Sequence, residues 1–271
     1  MMAATVGIGF VSLSVWAHHM FTIGMASYSN AFFVLTTMAV GVPTGIKIFN
    51  WISTMWGGKI RYATPMRFCL GFLFQFLIAG LTGIMLAAAP FNWQLGGSYF
   101  VVAHFHYMIV GGILFALFGA FYYWYPKMTG RMLDERLGKW HFWLFLIGFH
   151  LTFDFMHIPG ILGMPRRIYT YEPGRGWEIW NLIVTIGVIF QAAGVLCFVV
   201  NLIKSYFRGA PVGAWSSTPQ LLDNLTLSFV FIDILALFSR SCSREVEESR
   251  CWGVLRRLPA CGPGMCGRRL V

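Results

Sequence analysis

Charged residues are scarce in this chain of 271 residues, of which Asp, Glu, Lys and Arg together make up 11%. A water-soluble domain carries roughly a quarter charged residues, because its surface must stay hydrated. The scarcity of charge therefore excludes an ordinary soluble domain. Hydrophobic residues account for 57% of the sequence and aromatic residues for 17%. This composition predicts an integral membrane protein.

Long apolar stretches indicate where the chain would cross a bilayer, since a spanning helix needs about 20 mainly apolar residues. Five stretches are long enough or nearly so: 28–55, 68–90, 99–125, 140–161 and 177–206. A sixth, shorter stretch (1–16) is interpreted as the remainder of a helix rather than a signal peptide, because no basic leader precedes it. The predicted fold class is all-α, a polytopic bundle of about six transmembrane helices.

The net charge of +10 raises the question of nucleic-acid binding. The basic residues lie at the ends of the predicted spans and form no continuous stripe, so membrane topology explains them and no nucleic-acid partner is predicted. Because the loop 91–98 has no Lys or Arg, the positive-inside rule assigns Lys59 and Lys127 to the cytoplasmic side or its equivalent. Arg166 and Arg167 lie on the other side, where this exception predicts an anionic partner.

The composition changes near residue 209. Residues 1–209 form spans joined by short loops and show no obvious repeat. The remaining segment, 210–271, holds four of the six cysteines and half of the acidic residues. It has no CxxC pair with accompanying histidines, so no zinc site is predicted. Our hypothesis is that this tail is disordered or translated out of frame.

Four of the seven histidines form two compact pairs, His18–His19 in WAHHMF and His104/His106 in VVAHFHYM. Ionisable side chains inside a membrane are costly and usually functional. Neutral imidazole is a good copper ligand, and adjacent histidines reach one ion where the backbone is locally irregular. Residues two apart on a helix point about 200° apart. His104 and His106 therefore suit two different metals.

The predicted topology brings both pairs to a similar depth. If Lys59 is inside, the first stretch runs outward and the His18–His19 pair lies near the outer face. The span that starts at residue 99 begins at that same face, so the second pair lies only a turn or two below it. Arg166 and Arg167 are on this side too, where guanidinium groups bind carboxylates in bidentate geometry.

Four motifs in this order resemble subunit I of the haem–copper terminal oxidases: WAHHMFTIGM, PTGIKIF, SYFVVAHFHYMIVGG and GMPRR. The resemblance covers about residues 1–209 and implies the C-terminal half of a twelve-helix subunit. It implies that His18 and His19 are two of the three ligands of the active-site copper. His104 would be the axial ligand of the high-spin haem iron, and His106 that of the low-spin haem.

The resemblance implies further roles around these ligands. Phe105 would lie between the haems on the electron route, and Arg166 and Arg167 would pair with the haem propionates. Lys47 lies deep in its span, with Thr44 one turn earlier on the same face. A snorkelling lysine is the alternative, but in the family the matching Thr and Lys line a proton path from the inner side. We therefore predict that Thr44 and Lys47 belong to such a path.

The other histidines receive plainer interpretations. His141, next to Trp140, is expected to have only a packing or interface role. His157 lies three residues after Asp154, so the two side chains are expected to form a local hydrogen bond, and neither His150 nor His157 is predicted to bind a metal. Asp154 is given no role from the family.

This sequence departs from the family's pattern at two points. Gly96 and Gly97 stand where the family usually has His-Asp ligands of a magnesium or manganese ion, so no such metal is predicted. The third copper ligand, a cross-linked tyrosine and the second axial ligand of the low-spin haem belong, in the family, to an upstream half. An isolated copy of this chain is therefore expected not to reduce oxygen.

The resemblance implies the catalytic subunit of a respiratory oxidase, which takes electrons from cytochrome c, reduces dioxygen to water and translocates protons. Its cofactors would be two haems and copper, and its partners membrane lipid and oxidase subunits II and III. A quinol-oxidising relative and a non-catalytic membrane fragment are the alternatives. The expected location is the bacterial plasma membrane, with the mitochondrial inner membrane as the less favoured choice.

Overall fold

The computed structural model describes residues 1–58 and 60–211. Within these residues the chain is helical, and its only β-type pairings are isolated bridges. The tail hypothesis for 210–271 falls, from residue 212 onward, outside the described residues, as does Lys59.

Helical segments follow one another with short connections. Their order is α1 (Met2–Ser12), a 3₁₀ segment (Trp16–Ile23), α2 (Ser27–Ala39), α3 (Gly41–Met55), α4 (Thr64–Ala87), α5 (Ala89–Leu95), α6 (Tyr99–His106), a π-helical segment (Tyr107–Leu114), α7 (Phe115–Thr129), α8 (Glu135–Ile161) and α9 (Glu178–Arg208).

Six helical stretches of the described residues are long and apolar enough to cross a membrane, which confirms the predicted all-α fold class. The first of them does not end near Trp16, because the 3₁₀ segment carries it through the His18–His19 pair. These stretches are Met2–Ile23, Ser27–Met55, Thr64–Ala87, Tyr99–Thr129, Glu135–Ile161 and Glu178–Arg208.

Local sequence signals mark several helix ends. The side chain of Ser98 caps α6 by accepting a hydrogen bond from the backbone N–H of Phe100 at 3.2 Å, which satisfies a donor that the helix itself leaves open. Pro65 lies in the first turn of α4, where no N–H is needed. Gly130 ends α7 in the left-handed conformation, with φ 68°.

Glycines let the span Tyr99–Thr129 lie close to α4 and α8. A Cβ on Gly111 would be 2.9 Å from the Cβ of Gln75 in α4. A Cβ on Gly160 of α8 would overlap the backbone nitrogen of Phe100. Small residues at such contacts allow helix backbones to approach, which strengthens packing where no hydrophobic effect drives helices together.

Asp134 joins the start of α8 to the end of α9. Its backbone N–H donates to the Asn201 side chain at 2.9 Å, and its carbonyl accepts from the same amide at 3.0 Å. Its carboxylate caps α8 by accepting from the N–H of Arg136 and also binds the ammonium group of Lys204. The hydrogen bond from Lys204, reinforced by the backbone N–H groups, holds the pKa of Asp134 below its ordinary value.

The lowered pKa of Asp134 predicts an acid-sensitive step in stability. The pKa of Asp134 is lower in the folded chain than its ordinary value of 3.8 in the unfolded chain. The carboxylate therefore stabilises the fold at pH values above 3.8, and this contribution is lost as the pH falls through the folded pKa. Thermal unfolding followed by circular dichroism in detergent, on both sides of this pH, measures the step. The Asp134→Asn variant should lack it, and equal acid sensitivity in both proteins would contradict the assignment.

Gly160→Ala should destabilise the chain by about 1–3 kcal/mol, the usual cost of forcing extra volume into a packed contact. The physical reason is the overlap of the new methyl group with the backbone of Phe100. Gly7→Ala is the matched control, because nothing lies within 4 Å of a Cβ at Gly7 in α1. The midpoint of thermal unfolding should fall for Gly160→Ala alone.

Candidate metal and haem centre

The His18–His19 pair lies on an irregular backbone. The 3₁₀ segment that carries it ends at Gly24, which has φ 85°. The two imidazole rings are 4.3 Å apart between centroids and inclined at 53°. The Oγ1 atom of Thr37 in α2 is 3.4 Å from Nδ1 of His18. Both rings are therefore close enough to each other to bind a single ion.

His104 and His106 contact different helices. Nδ1 of His104 is 2.9 Å from the Oγ1 atom of Thr82 in α4. Nδ1 of His106 donates to the carbonyl of Val102 at 2.7 Å, and its ring stacks on Phe153 of α8 at 4.8 Å and 13°. The two imidazoles thus face opposite neighbours, as the helical period requires.

A π-helical segment begins directly after His106 and extends from Tyr107 to Leu114. Such segments insert an extra residue into a helical turn and are frequent at functional sites. Gly112 of this segment would bring a Cβ within 3.2 Å of the Phe76 ring in α4. The π-helical turn therefore fits against α4 because Gly111 and Gly112 have no side chains there.

One cavity of about 630 Å³ is lined by residues from both histidine pairs. Three of the four paired histidines reach it, and His106 does not. Its walls are mainly apolar. The lining includes His18, His19, Thr44, Gly80, Gly83, His104, Phe105, Met108 and Arg166.

Arg166 is brought to this cavity by the loop that follows α8. Its backbone N–H donates to the carbonyl of Gly97 at 3.0 Å, and the preceding Pro165 forms a β-bridge with Ser98. The loop is thereby attached to the start of α6, the helix of the second histidine pair. Arg167 is outside the cavity lining and has φ 66°, a left-handed conformation that is costly for a residue with a Cβ.

Lys47 is buried, with 4% of its surface exposed, so it does not snorkel in this structure. Its Nζ atom lies 5.4 Å from the ring centroid of Trp51, a favourable cation–π distance. Thr44, one turn earlier on α3, lines the cavity and donates its hydroxyl hydrogen to the carbonyl of Val40 at 2.8 Å. Lys47 itself is outside the lining.

The expected hydrogen bond between the side chains of Asp154 and His157 is wrong. Asp154 accepts instead from Nδ1 of His150 at 3.0 Å, while Nδ1 of His157 donates to the carbonyl of Phe153 at 2.8 Å. Residues three and four apart on a helix are both neighbours. Because Nδ1 of His157 bonds the backbone, the carboxylate pairs with His150.

His141 is fully buried, in keeping with the predicted packing role. Its Nδ1 atom is 3.2 Å from the hydroxyl of Tyr122, and its ring lies 4.8 Å from that of Phe68. Within residues 1–58 and 60–211, no three His, Cys, Asp or Glu side chains are grouped as a metal site. Among the described residues, the His18–His19 pair therefore has no third side chain of these types grouped with it.

One comparison identifies the family. The fold and the cavity first define a class, the polytopic helical membrane proteins with histidines around a buried cavity. The sequence model of the family described as "Cytochrome C and Quinol oxidase polypeptide I" matches residues 1–190. The chain belongs to this family, which confirms the resemblance found in its motifs.

Relatives with both kinds of name are similar to this chain. Cytochrome c oxidase subunit 1 of Bacillus sp. (strain PS3) is 54% identical over 217 residues, which are 79% of this chain and 35% of the relative. The probable quinol oxidase subunit 1 of Staphylococcus aureus (strain USA300) is 46% identical over 233 residues, 85% of this chain and 35% of that protein. The chain thus spans about a third of the length of these relatives.

A solved structure has the same fold. It is described as a cryo-EM structure of a heme-copper terminal oxidase dimer and superposes with a TM-score of 0.62 at 21% sequence identity. The match covers 83% of this chain and 47% of that one. This likeness supports the helical architecture alone.

Proposed function

We propose that this chain is part of the catalytic subunit of a respiratory terminal oxidase, which takes electrons from cytochrome c, reduces dioxygen to water and translocates protons. The observation that carries the proposal is the convergence of His18, His19 and His104 on one apolar cavity, with Arg166 in the same wall. The His18–His19 pair belongs to the first span, His104 to the fourth and Arg166 to the loop after α8, so their convergence is a property of the fold. Bacterial relatives favour the bacterial plasma membrane, and the expected partners are membrane lipid and oxidase subunits II and III.

The residues of the cavity fit haem and copper. A volume of about 630 Å³ is within the usual range for cofactor sites. Its walls are mainly apolar, and Gly80 and Gly83 lie among the apolar residues that α4 contributes to the lining. Haem is a flat apolar ring with two carboxylates, which suits such walls and a guanidinium group.

Part of the ligand set is assigned to residues of this chain. His18 and His19 would hold copper, His104 the high-spin haem iron, and His106 the low-spin haem iron, while Arg166 and Arg167 would bind propionates. When bound, the haems and the copper supply electron transfer and oxygen reduction. No magnesium or manganese site is proposed at Gly96 and Gly97.

Phe105 links the surroundings of the two histidines of α6. Its side chain lines the cavity that His104 reaches, and its ring stacks on His106 at 4.3 Å and 29°. This position supports its predicted place on the electron route. His106 donates from Nδ1 to the carbonyl of Val102, so Nε2 is the nitrogen whose lone pair is left to bind a metal.

Thr44 and Lys47 support proton supply to the cavity. The hydroxyl of Thr44 lies on the cavity wall, and the buried ammonium group of Lys47 lies one turn further along α3. Ionisable side chains in apolar, membrane-embedded regions commonly serve as proton relays, and a buried lysine is such a side chain. We propose that the pair passes protons from the inner side.

A quinol-oxidising enzyme is the second candidate, because one relative at 46% identity has a quinol oxidase name. Steady-state turnover of the completed enzyme with reduced cytochrome c and with a quinol distinguishes the two donors. A non-catalytic fragment is the third candidate, since the chain spans about a third of its relatives. Expression of the chain alone, with recording of its haem spectrum, tests it.

Replacement of the two α6 histidines should remove different haem signals. In a completed subunit, meaning one of the relatives' full length that contains this chain, His104→Ala should abolish the high-spin haem signal and its carbon monoxide adduct. The low-spin haem should remain. His106→Ala should remove the low-spin spectrum instead, because the rings face opposite helices. Optical spectra of the reduced proteins measure this, and identical spectra for both variants would refute the division of roles.

Lys47→Met in a completed enzyme should keep both haems and copper but slow the reduction of the oxygen-reducing centre. Electrons that enter an apolar site without compensating protons raise its energy, by about 4 kcal/mol for a pair of charges a few ångströms apart at intermediate dielectric. Stopped-flow reduction, read after the haem content is verified, measures the effect.

Lys127→Met is the matched control for this experiment. The Lys127 ammonium group also lies over an aromatic ring, 4.8 Å from the ring centroid of Tyr123. Lys127 is in the last turn of α7 and is outside the cavity lining. Its reduction kinetics should be normal. Normal turnover of Lys47→Met would remove the proposed role, and loss of haem from it would indicate a structural role.

A further inference from the structure

We propose that Thr82 and Gly83, which are consecutive in α4, are positioning residues for His104. The hydroxyl of Thr82 holds the imidazole proton on Nδ1, and Gly83 leaves the space in which the ring lies against the helix. Nε2 is thereby left as the metal-binding atom. This inference rests on the proposed role of His104 as a haem ligand.

The hydrogen bonds of Thr82 fix the direction of its contact with His104. Its Oγ1 atom is 3.1 Å from the carbonyl oxygen of Ile78 and 3.0 Å from that of Ala79. Carbonyl oxygens only accept, and a threonine hydroxyl has one hydrogen, which helical threonines commonly give to these positions. The oxygen of Thr82 therefore accepts from Nδ1–H of His104 at 2.9 Å.

The direction of this hydrogen bond fixes the tautomer of His104. A neutral imidazole has a single N–H, so a proton on Nδ1 leaves the lone pair on Nε2. Acceptors behind a ligating histidine orient the ring and raise the basicity of the nitrogen that binds the metal.

Gly83 controls the distance between the ring and α4. A Cβ at this position would be 3.0 Å from Cε1 of His104 and 3.6 Å from Nε2. Cε1 lies between the two nitrogens, so a methyl group there pushes the ring away from Thr82 and turns Nε2 out of its direction. The two residues thus act together, one by a hydrogen bond and the other by its lack of a side chain.

Resonance Raman spectroscopy of the reduced, completed enzyme tests this inference through the iron–histidine stretching band of the high-spin haem. Thr82→Val keeps the shape of the side chain but removes the acceptor, so the band should move to lower frequency while haem content stays normal. Thr82→Ser restores the acceptor and should restore the band. Gly83→Ala should also shift the band, because the ring is displaced.

Thr185→Val is the matched control. Thr185 of α9 makes the same kind of bond, donating to the carbonyl of Asn181 at 2.8 Å, and is outside the cavity lining. Its band should be that of the parent protein. If Thr82→Val fails to assemble, Thr82→Ala, which removes the same acceptor without a branched side chain, gives the reading.

Two results would separate the inference from the function on which it rests. A high-spin haem that survives in His104→Ala would refute the ligand assignment itself. Loss of that haem in His104→Ala, together with an unchanged band in Thr82→Val or Thr82→Ala, would refute only the positioning role. A shift that Thr82→Ser fails to reverse would also overturn it, because a packing effect would then explain the change.

Discussion

An imidazole inside an apolar bundle must find a hydrogen-bond partner within the protein, since no water is available there. Six histidines of the described residues have a partner at Nδ1, among them His18 with Thr37 and His150 with Asp154, and the surroundings of Nε2 differ between them. For His141 and His157, Nε2 is buried without a hydrogen-bond partner among the described residues. For His104 the ring lies on the cavity wall. The Nδ1 partners of His104, His106, His141 and His157 are Thr82, Val102, Tyr122 and Phe153.

Close packing of the helices brings the hydrogen-bond partners within reach of the histidines. The span that carries His104 and His106 lies between α4 and α8, and glycines at Gly83, Gly111 and Gly160 allow the backbones to approach. A hydrogen bond across two helices is short only where the helices themselves are close. The glycines therefore determine which side chains reach the histidines, although they carry no chemical group.

Relatives with both kinds of name are similar to this chain, at 54% identity for a cytochrome c oxidase subunit 1 and 46% for a probable quinol oxidase subunit 1. The cavity is lined by His18, His19 and His104. Under the proposed function, these three residues bind the oxygen-reducing centre and do not contact the electron donor, so they do not determine which donor is used.

The sequence alone determined the six spans and the opposed directions of His104 and His106, because span length and the angle per residue are local properties of a helix. Its motifs also determined the family. Only the tertiary structure decided that Thr82 contacts His104 and that Arg166 reaches the cavity. These contacts join residues far apart in the chain, and the distance between two helices depends on packing that no local pattern records.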